Sequence, residues 1–186
     1  MKSKTTSSKR REVSTYAKAT FALALQNVRR IYGIKPDDMQ VRFEFRNTNE
    51  DSLTWTEDES YARARRFTVR VCYDIEACRI VANNATIPAT IRGYEYAEYA
   101  LYASDSEIGS FIAEDWRACI NALIAHELAH CVHLRKVYKQ GSKQAARAFN
   151  AEFETEAHNE EFQGIYRNIK RNGFTLGACL PWAGCV

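Results

Sequence analysis

The sequence lacks any apolar run that approaches the ~20 residues of a membrane-spanning helix. The charges near its N-terminus have no hydrophobic stretch behind them, so this segment does not resemble a signal peptide. It also lacks a glycine-rich phosphate loop, an internal repeat and a low-complexity block. We therefore expect a cytoplasmic protein without membrane association, in which 186 residues form one domain with a substantial core.

No C-x-x-C pair occurs among the six cysteines, which excludes a cysteine-based zinc framework. Cys119 and Cys131 lie on one predicted helix, roughly 18 Å apart along its axis, so they cannot form a disulfide with each other. In a cytosolic protein we expect reduced thiols.

Strong charge of either sign is missing too, since the formal net charge is only +3. That value is low for a dedicated nucleic-acid-binding protein. Much of the positive charge lies in the first eleven residues, which contain no acid. We predict a flexible basic tail over residues 1–13, and the alternative is a weak phosphate-contacting arm.

What the sequence does contain is the H-E-x-x-H pattern of zinc peptidases, inside an apolar helical run. A spacing of four residues places His126 and His130 on one helix face, about 6 Å apart along the axis, where both can bind one Zn²⁺. Glu127 would act as general base on a water at the ion's open position. The alternative is a buried helix whose histidines only satisfy local hydrogen bonds.

A catalytic zinc ion needs a third protein ligand. The extended H-E-x-x-H-x-x-G-x-x-H form is excluded, because His133 replaces its glycine and Lys136 its last histidine. His133 follows on nearly the same helix face, so we predict a role in supporting the site, facing substrate or packing. The remaining candidates are His158 or one of three glutamates, namely Glu152, Glu154 and Glu156.

The hydrophobic periodicity predicts an α+β domain over residues 14–173. The predicted elements are a helix from Ser14 or Thr15 to Tyr32, strands at Met39–Arg46, Arg66–Tyr73 and Cys78–Ala82, a motif helix from Asp105 or Ser106 to Lys139, and further helix from Ser142 to Gly173. We expect a small, mostly antiparallel sheet, because its strands are consecutive and close in sequence.

Three segments have no regular pattern of their own. For residues 47–61 the sequence predicts a loop or hairpin tip around Trp55. We expect the Trp55 side chain to pack on the core rather than to contact substrate. The tyrosines at 94, 96, 99 and 102 could line a substrate surface, although covering the sheet is the safer prediction. Residues 174–186 form an apolar tail that we expect to dock on the core.

The H-E-L-A-H segment from His126 to His130, followed downstream by His158-Asn-Glu-Glu-Phe162 and Tyr166, resembles the SprT-like (Spartan-type) zinc metalloprotease domain. In that family a His-Gly-x-x-Phe segment carries the third histidine. The order of a first helix, a three-stranded sheet and the motif helix is also similar.

This resemblance implies a zincin-like fold in which His126, His130 and His158 bind one zinc ion per chain. It also implies Glu127 as general base, and possible substrates among DNA-bound proteins. Asn159 stands where the family usually has glycine, and the cysteine zinc ribbon of many bacterial members is missing.

The leading hypothesis is a zinc-dependent endopeptidase acting on protein or peptide substrates, with peptide added along the edge strand at Cys78–Ala82. Tyr166 or His133 could stabilise the oxyanion. Alternatives are a gluzincin-like peptidase with Glu154 or a neighbour as third ligand, and a zinc-stabilised binding module without turnover. Glu127 argues against the module, because a structural site needs no base.

Overall fold

The computed structural model describes residues 4–48, 50–56, 65–74, 94–96, 105–109, 111–113, 116–139 and 158–175. Its elements are α1 (Lys4–Ile31), a 3₁₀ turn (Pro36–Asp38), β1 (Gln40–Arg46), β2 (Leu53–Thr56), β3 (Arg66–Cys72), β4 (Tyr94–Tyr96), β5 (Phe111–Ala113), α2 (Trp116–Lys139) and α3 (Glu160–Asn172). The described chain is α+β, as predicted, with three α-helices and a three-stranded mixed sheet.

The first helix is confirmed, but α1 begins at Lys4, so the prediction of a flexible tail is wrong from that residue onward. Val13 is fully buried in the core, which the tail prediction did not allow. Lys9 pairs with Glu12 one turn later at 3.1 Å, and its ammonium lies 4.8 Å from the centre of the Trp116 ring. The contact of Lys9 with Trp116 of α2 gives the added helical turns a packing surface that periodicity alone did not reveal.

The three-stranded sheet has the order β1-β3-β2, with β1 parallel and β2 antiparallel to β3. The prediction of consecutive antiparallel strands is therefore wrong for β1 and β3. The predicted loop around Trp55 is wrong too, since this residue lies in β2. The central position suits β3 because Phe67, Val69 and Val71 are buried on one face and Thr68 on the other.

Several predicted features lie outside the described residues. They are the strand at 78–82, the helix start at 142, the glutamates at 152, 154 and 156, the tyrosines at 99 and 102, and the tail beyond Thr175. Tyr94 and Tyr96 lie in β4, which pairs antiparallel with β5.

The core is formed where the sheet packs on α1 and α2 and where α3 packs on α2. Phe21 of α1 stacks on Phe43 of β1 with ring centroids 4.2 Å apart. Tyr16 donates a hydrogen bond to the Asn121 side chain of α2 at 2.9 Å. The regularly spaced apolar residues of α1, β3 and α3, whose periodicity predicts these elements, are buried in the core. None of the described helices is long and apolar enough to cross a membrane.

The motif helix α2 ends at Lys139 as predicted, but it starts at Trp116 rather than Asp105. Asp105 instead begins a separate turn, in which its carboxylate accepts hydrogen bonds from the backbone N–H groups of Glu107 and Ile108. The same carboxylate accepts a hydrogen bond from Arg167 of α3. Asp105 therefore joins this turn to α3 rather than capping α2.

Candidate metal centre and general base

Helix α2 places the motif in the interior of the protein. His126 and Glu127 are 4% and 2% exposed, and Leu128 between the two histidines is fully buried. The facing Nε2 atoms of His126 and His130 are 3.0 Å apart, as the spacing of four residues predicts. The two imidazoles therefore converge on one point beside the helix.

The structure brings His158 to the same point. One ligand nitrogen from each of His126, His130 and His158 lies within 4.8 Å of the other two. The His158 ring centroid is 5.3 Å from that of His126 and 4.8 Å from that of His130. The glutamates proposed as alternative third ligands lie outside the described residues.

The start of α3 sets the position of His158. Asn159 is the N-cap residue, and its side-chain oxygen accepts a hydrogen bond from the backbone N–H of Phe162 at 3.1 Å. Its φ of −65° lies in the extended region, so no glycine is required there. Asn159, in place of the glycine of the family that the sequence resembles, is therefore compatible with the position of His158. Asn is also a favourable capping residue.

Phe162 fills the space around the histidines. It is fully buried, and its ring centroid lies 5.1 Å from that of His126, 4.5 Å from that of His130 and 4.9 Å from that of His158. A rigid apolar side chain in contact with all three imidazoles limits their rotation and keeps water away from one side of the cluster.

The three histidines could hold a metal ion, and imidazole nitrogens are donors that zinc binds. Zinc–nitrogen bonds of about 2.0–2.1 Å at tetrahedral angles place neighbouring ligand nitrogens about 3.3 Å apart. The 3.0 Å between the Nε2 atoms of His126 and His130 is close to that spacing, and the three ligand nitrogens lie within 4.8 Å of one another. Three imidazoles and an adjacent carboxylate are the set expected at a catalytic site, where three ligands leave one position open.

The electrostatics of the cluster favour neutral imidazoles, which is the form that binds metals. Burial, and then the neighbouring His158, lower the pKa of His126 to about 3 from its ordinary 6.5. Burial is also the main cause that holds the pKa of His130 well below its ordinary value. Binding a cation would therefore displace few protons near neutral pH.

Glu127 follows His126 directly in α2, and its side chain contacts a residue that was not predicted from the sequence. The Thr54 hydroxyl on β2 lies 2.6 Å from Oε2 of Glu127 and 3.1 Å from its backbone oxygen. Burial raises the pKa of Glu127 to about 8, and the hydrogen bond from Thr54 opposes that rise. The sequence predicts a loop for this segment. The signal that could have indicated Thr54 is the pair of β-branched residues, Thr54 and Thr56, which favours a short strand.

The two remaining predicted residues are both buried. His133 is 1% exposed, and its Nε2 lies 3.9 Å from a carboxylate oxygen of Glu161, so its burial favours a supporting role over direct contact with substrate. Tyr166 is fully buried, with its ring 5.3 Å from that of His126 in an edge-to-face arrangement. Within the described ranges, no hydrogen-bond partner is found for the Tyr166 hydroxyl. Its predicted part in oxyanion stabilisation stays a prediction.

Comparison with known protein families, curated proteins and solved structures finds no match to this chain.

Proposed function

We propose that the chain is a zinc-dependent metalloendopeptidase with a zincin-like fold, related to the SprT-like domains. The observation that carries the proposal is the convergence of His126, His130 and His158, with the buried Glu127 directly following His126 in the same helix. A structural zinc site would usually close its fourth position with another ligand and has no use for a base.

In this proposal His126, His130 and His158 hold the ion and Glu127 handles the proton. A bound zinc ion would polarise the scissile carbonyl and acidify the attacking water. Glu127 takes the proton from that water and returns it to the amine nitrogen as the peptide bond breaks. Its burial excludes bulk solvent, which strengthens its interaction with nearby charge.

The substrate strand is proposed to run along β2. This strand lies at one edge of the described three-stranded sheet, and Thr54 brings it into contact with Glu127. Strand addition would supply main-chain hydrogen bonds to a peptide of almost any sequence. Leu53 is 52% exposed and offers an apolar contact. β2 thus replaces the segment at 78–82, which lies outside the described residues, as our candidate docking strand.

Metal content and proteolysis of the purified chain test the proposal. We expect one zinc per wild-type chain, loss of zinc in His158→Ala, and casein cleavage that falls at least ~10³-fold in Glu127→Gln with zinc retained. Cleavage by Glu127→Gln at the wild-type rate would contradict the assigned base. Zinc retained in His158→Ala would point to a glutamate as third ligand.

The resemblance to Spartan-type enzymes supports DNA-associated proteins as one substrate class. Adding single-stranded DNA to the casein assay tests this class, and we expect faster cleavage. If DNA has no effect, the peptidase proposal stands and the DNA-linked role does not. Zinc binding with no cleavage under either condition would instead favour the non-catalytic binding module.

A further inference from the structure

We infer that Thr54 is a positioning residue, which orients the Glu127 carboxylate for proton transfer. The inference rests on the proposed peptidase function and concerns a residue on a different element from the motif. The hydroxyl of Thr54 lies 2.6 Å from Oε2 of Glu127. Within the described part of the chain, no other side chain hydrogen-bonds to this carboxylate.

The direction of this hydrogen bond follows from the single proton of the threonine hydroxyl. Its two candidate acceptors are Oε2 at 2.6 Å and the backbone oxygen of Glu127 at 3.1 Å. The shorter distance lies in the range of about 2.5–2.7 Å for a hydroxyl that donates to a carboxylate, and the longer one exceeds the usual range for O–H···O bonds. The geometry therefore assigns Oε2 as the acceptor of the Thr54 hydroxyl, and Oε1 as the oxygen that would take up a proton.

The sheet makes Thr54 a rigid donor. Thr54 pairs in register with Val69 of the central strand, which is fully buried. By the alternation of a strand, Leu53 and Trp55 face the opposite side, so the Thr54 side chain is directed at α2 and away from the outer surface. The terminal torsion of a glutamate is broad, with no strong preference of its own. A donor that is fixed by the sheet restrains the terminal torsion of Glu127.

Steady-state kinetics of the zinc-loaded chain test the positioning role. Thr54→Val keeps the side-chain shape and removes the hydroxyl, while Thr54→Ser keeps the hydroxyl. We expect Thr54→Val to lower kcat by roughly 10–100-fold with KM and zinc content unchanged, and Thr54→Ser to stay within about threefold of wild type. Equal losses in both variants, or a loss confined to KM, would overturn the inference.

A second measurement does not depend on catalysis. Urea unfolding of the purified chain is compared for Thr54→Val in the wild-type background and in a Glu127→Leu background. If the hydroxyl acts through the carboxylate, Thr54→Val lowers the unfolding midpoint in the first background and leaves it nearly unchanged in the second. Thr56→Val is the matched control, because Thr56 lies on the same strand as Thr54 but donates to the backbone oxygen of Arg66 on β3. Its effect should be equal in both backgrounds.

The two measurements separate this inference from the proposed function. If wild type cleaves nothing, the peptidase proposal fails, and the unfolding comparison still decides whether Thr54 acts on Glu127. If wild type cleaves and the Thr54→Val effect on unfolding is the same in both backgrounds, the positioning role fails and the peptidase proposal stands.

Discussion

At the scale of single residues, Phe162 lies against all three histidines of the site. Its ring contacts the imidazoles of all three proposed ligands, and it lies four residues after His158 on the same chain segment. Its backbone N–H is also the group that the Asn159 cap binds. One side chain therefore couples the position of the third ligand to the packing of the first two.

Truncation of Phe162 should reduce both stability and metal affinity. We expect Phe162→Ala to lower the free energy of unfolding by about 3–5 kcal/mol, because a fully buried phenyl ring leaves a cavity. Zinc affinity, measured by competition with a chromophoric chelator, should fall about 10–100-fold.

Phe162→Leu provides the control for this prediction, since it keeps apolar bulk and should remain folded at room temperature. We expect a smaller loss of stability with a measurable loss of zinc affinity. Wild-type affinity in a folded Phe162→Leu chain would show that the ring does not orient the ligands.

At the scale of elements, helix α3 is attached to the turn at residues 105–109. Arg167 donates to the Asp105 carboxylate with Nε at 3.1 Å, and Lys170 donates to the backbone oxygen of Glu107. Arg171 forms an ion pair with the Glu107 side chain. These bonds lie in the C-terminal half of α3, at the opposite end from its N-cap. They fix the helix that directly follows His158.

The attachment through Asp105 should weaken in acid. Hydrogen bonds from Arg167, and then from the Glu107 N–H, hold the pKa of Asp105 at about 2, below its ordinary 3.8. Because the folded pKa is lowered, the stabilisation is complete above about pH 4 and is lost as the pH falls towards 2. We expect Asp105→Asn to cost about 1 kcal/mol at pH 6, after allowance for solvent screening, and almost nothing near pH 2.

Urea unfolding of both chains across this pH range measures the difference. The contributions of the other carboxyl groups to the free energy of unfolding cancel in this comparison, because those groups titrate in wild type and variant alike. A difference that stays constant from pH 6 to pH 2 would show that the Asp105 charge does not contribute to folding stability.

At the scale of the whole molecule, the site joins segments that are far apart in the sequence. Strand β2 supplies Thr54, α2 supplies His126, Glu127 and His130, and the residue before the cap of α3 is His158. An ion bound by α2 and α3 would link two helices whose packing forms much of the core. Metal binding should therefore contribute to global stability.

Chelation provides the corresponding prediction. At zinc concentrations about a hundredfold above Kd, binding contributes about 2.7 kcal/mol, which for a chain of this size raises Tm by roughly 5–10 °C. We expect EDTA to remove this increment in wild type, and differential scanning calorimetry to detect it. His158→Ala should show little response to EDTA. An equal response in both chains would mean that His158 does not bind the ion.

The local sequence pattern was sufficient to predict the elements with strong periodicity. It was also sufficient to predict that the two histidines within one helix converge. The apolar spacing in α1, β3 and α3 predicted the faces that are buried, because burial follows the period of the backbone. The spacing of four residues in the motif predicted that His126 and His130 converge, since a helix determines that distance by itself. The H-E-x-x-H pattern by itself indicated Glu127 as the base.

Tertiary structure decided what depends on contacts between distant segments. The central position of β3, its parallel pairing with β1 and the additional turns of α1 come from packing that no local window contains. The sequence left His158 as one of four candidates for the third ligand, and only a resemblance favoured it over the glutamates. The packing of α3 against α2 brings the His158 ring beside the others. Thr54 is the clearest case, because 73 residues separate it from Glu127 and only the fold brings its hydroxyl to the carboxylate.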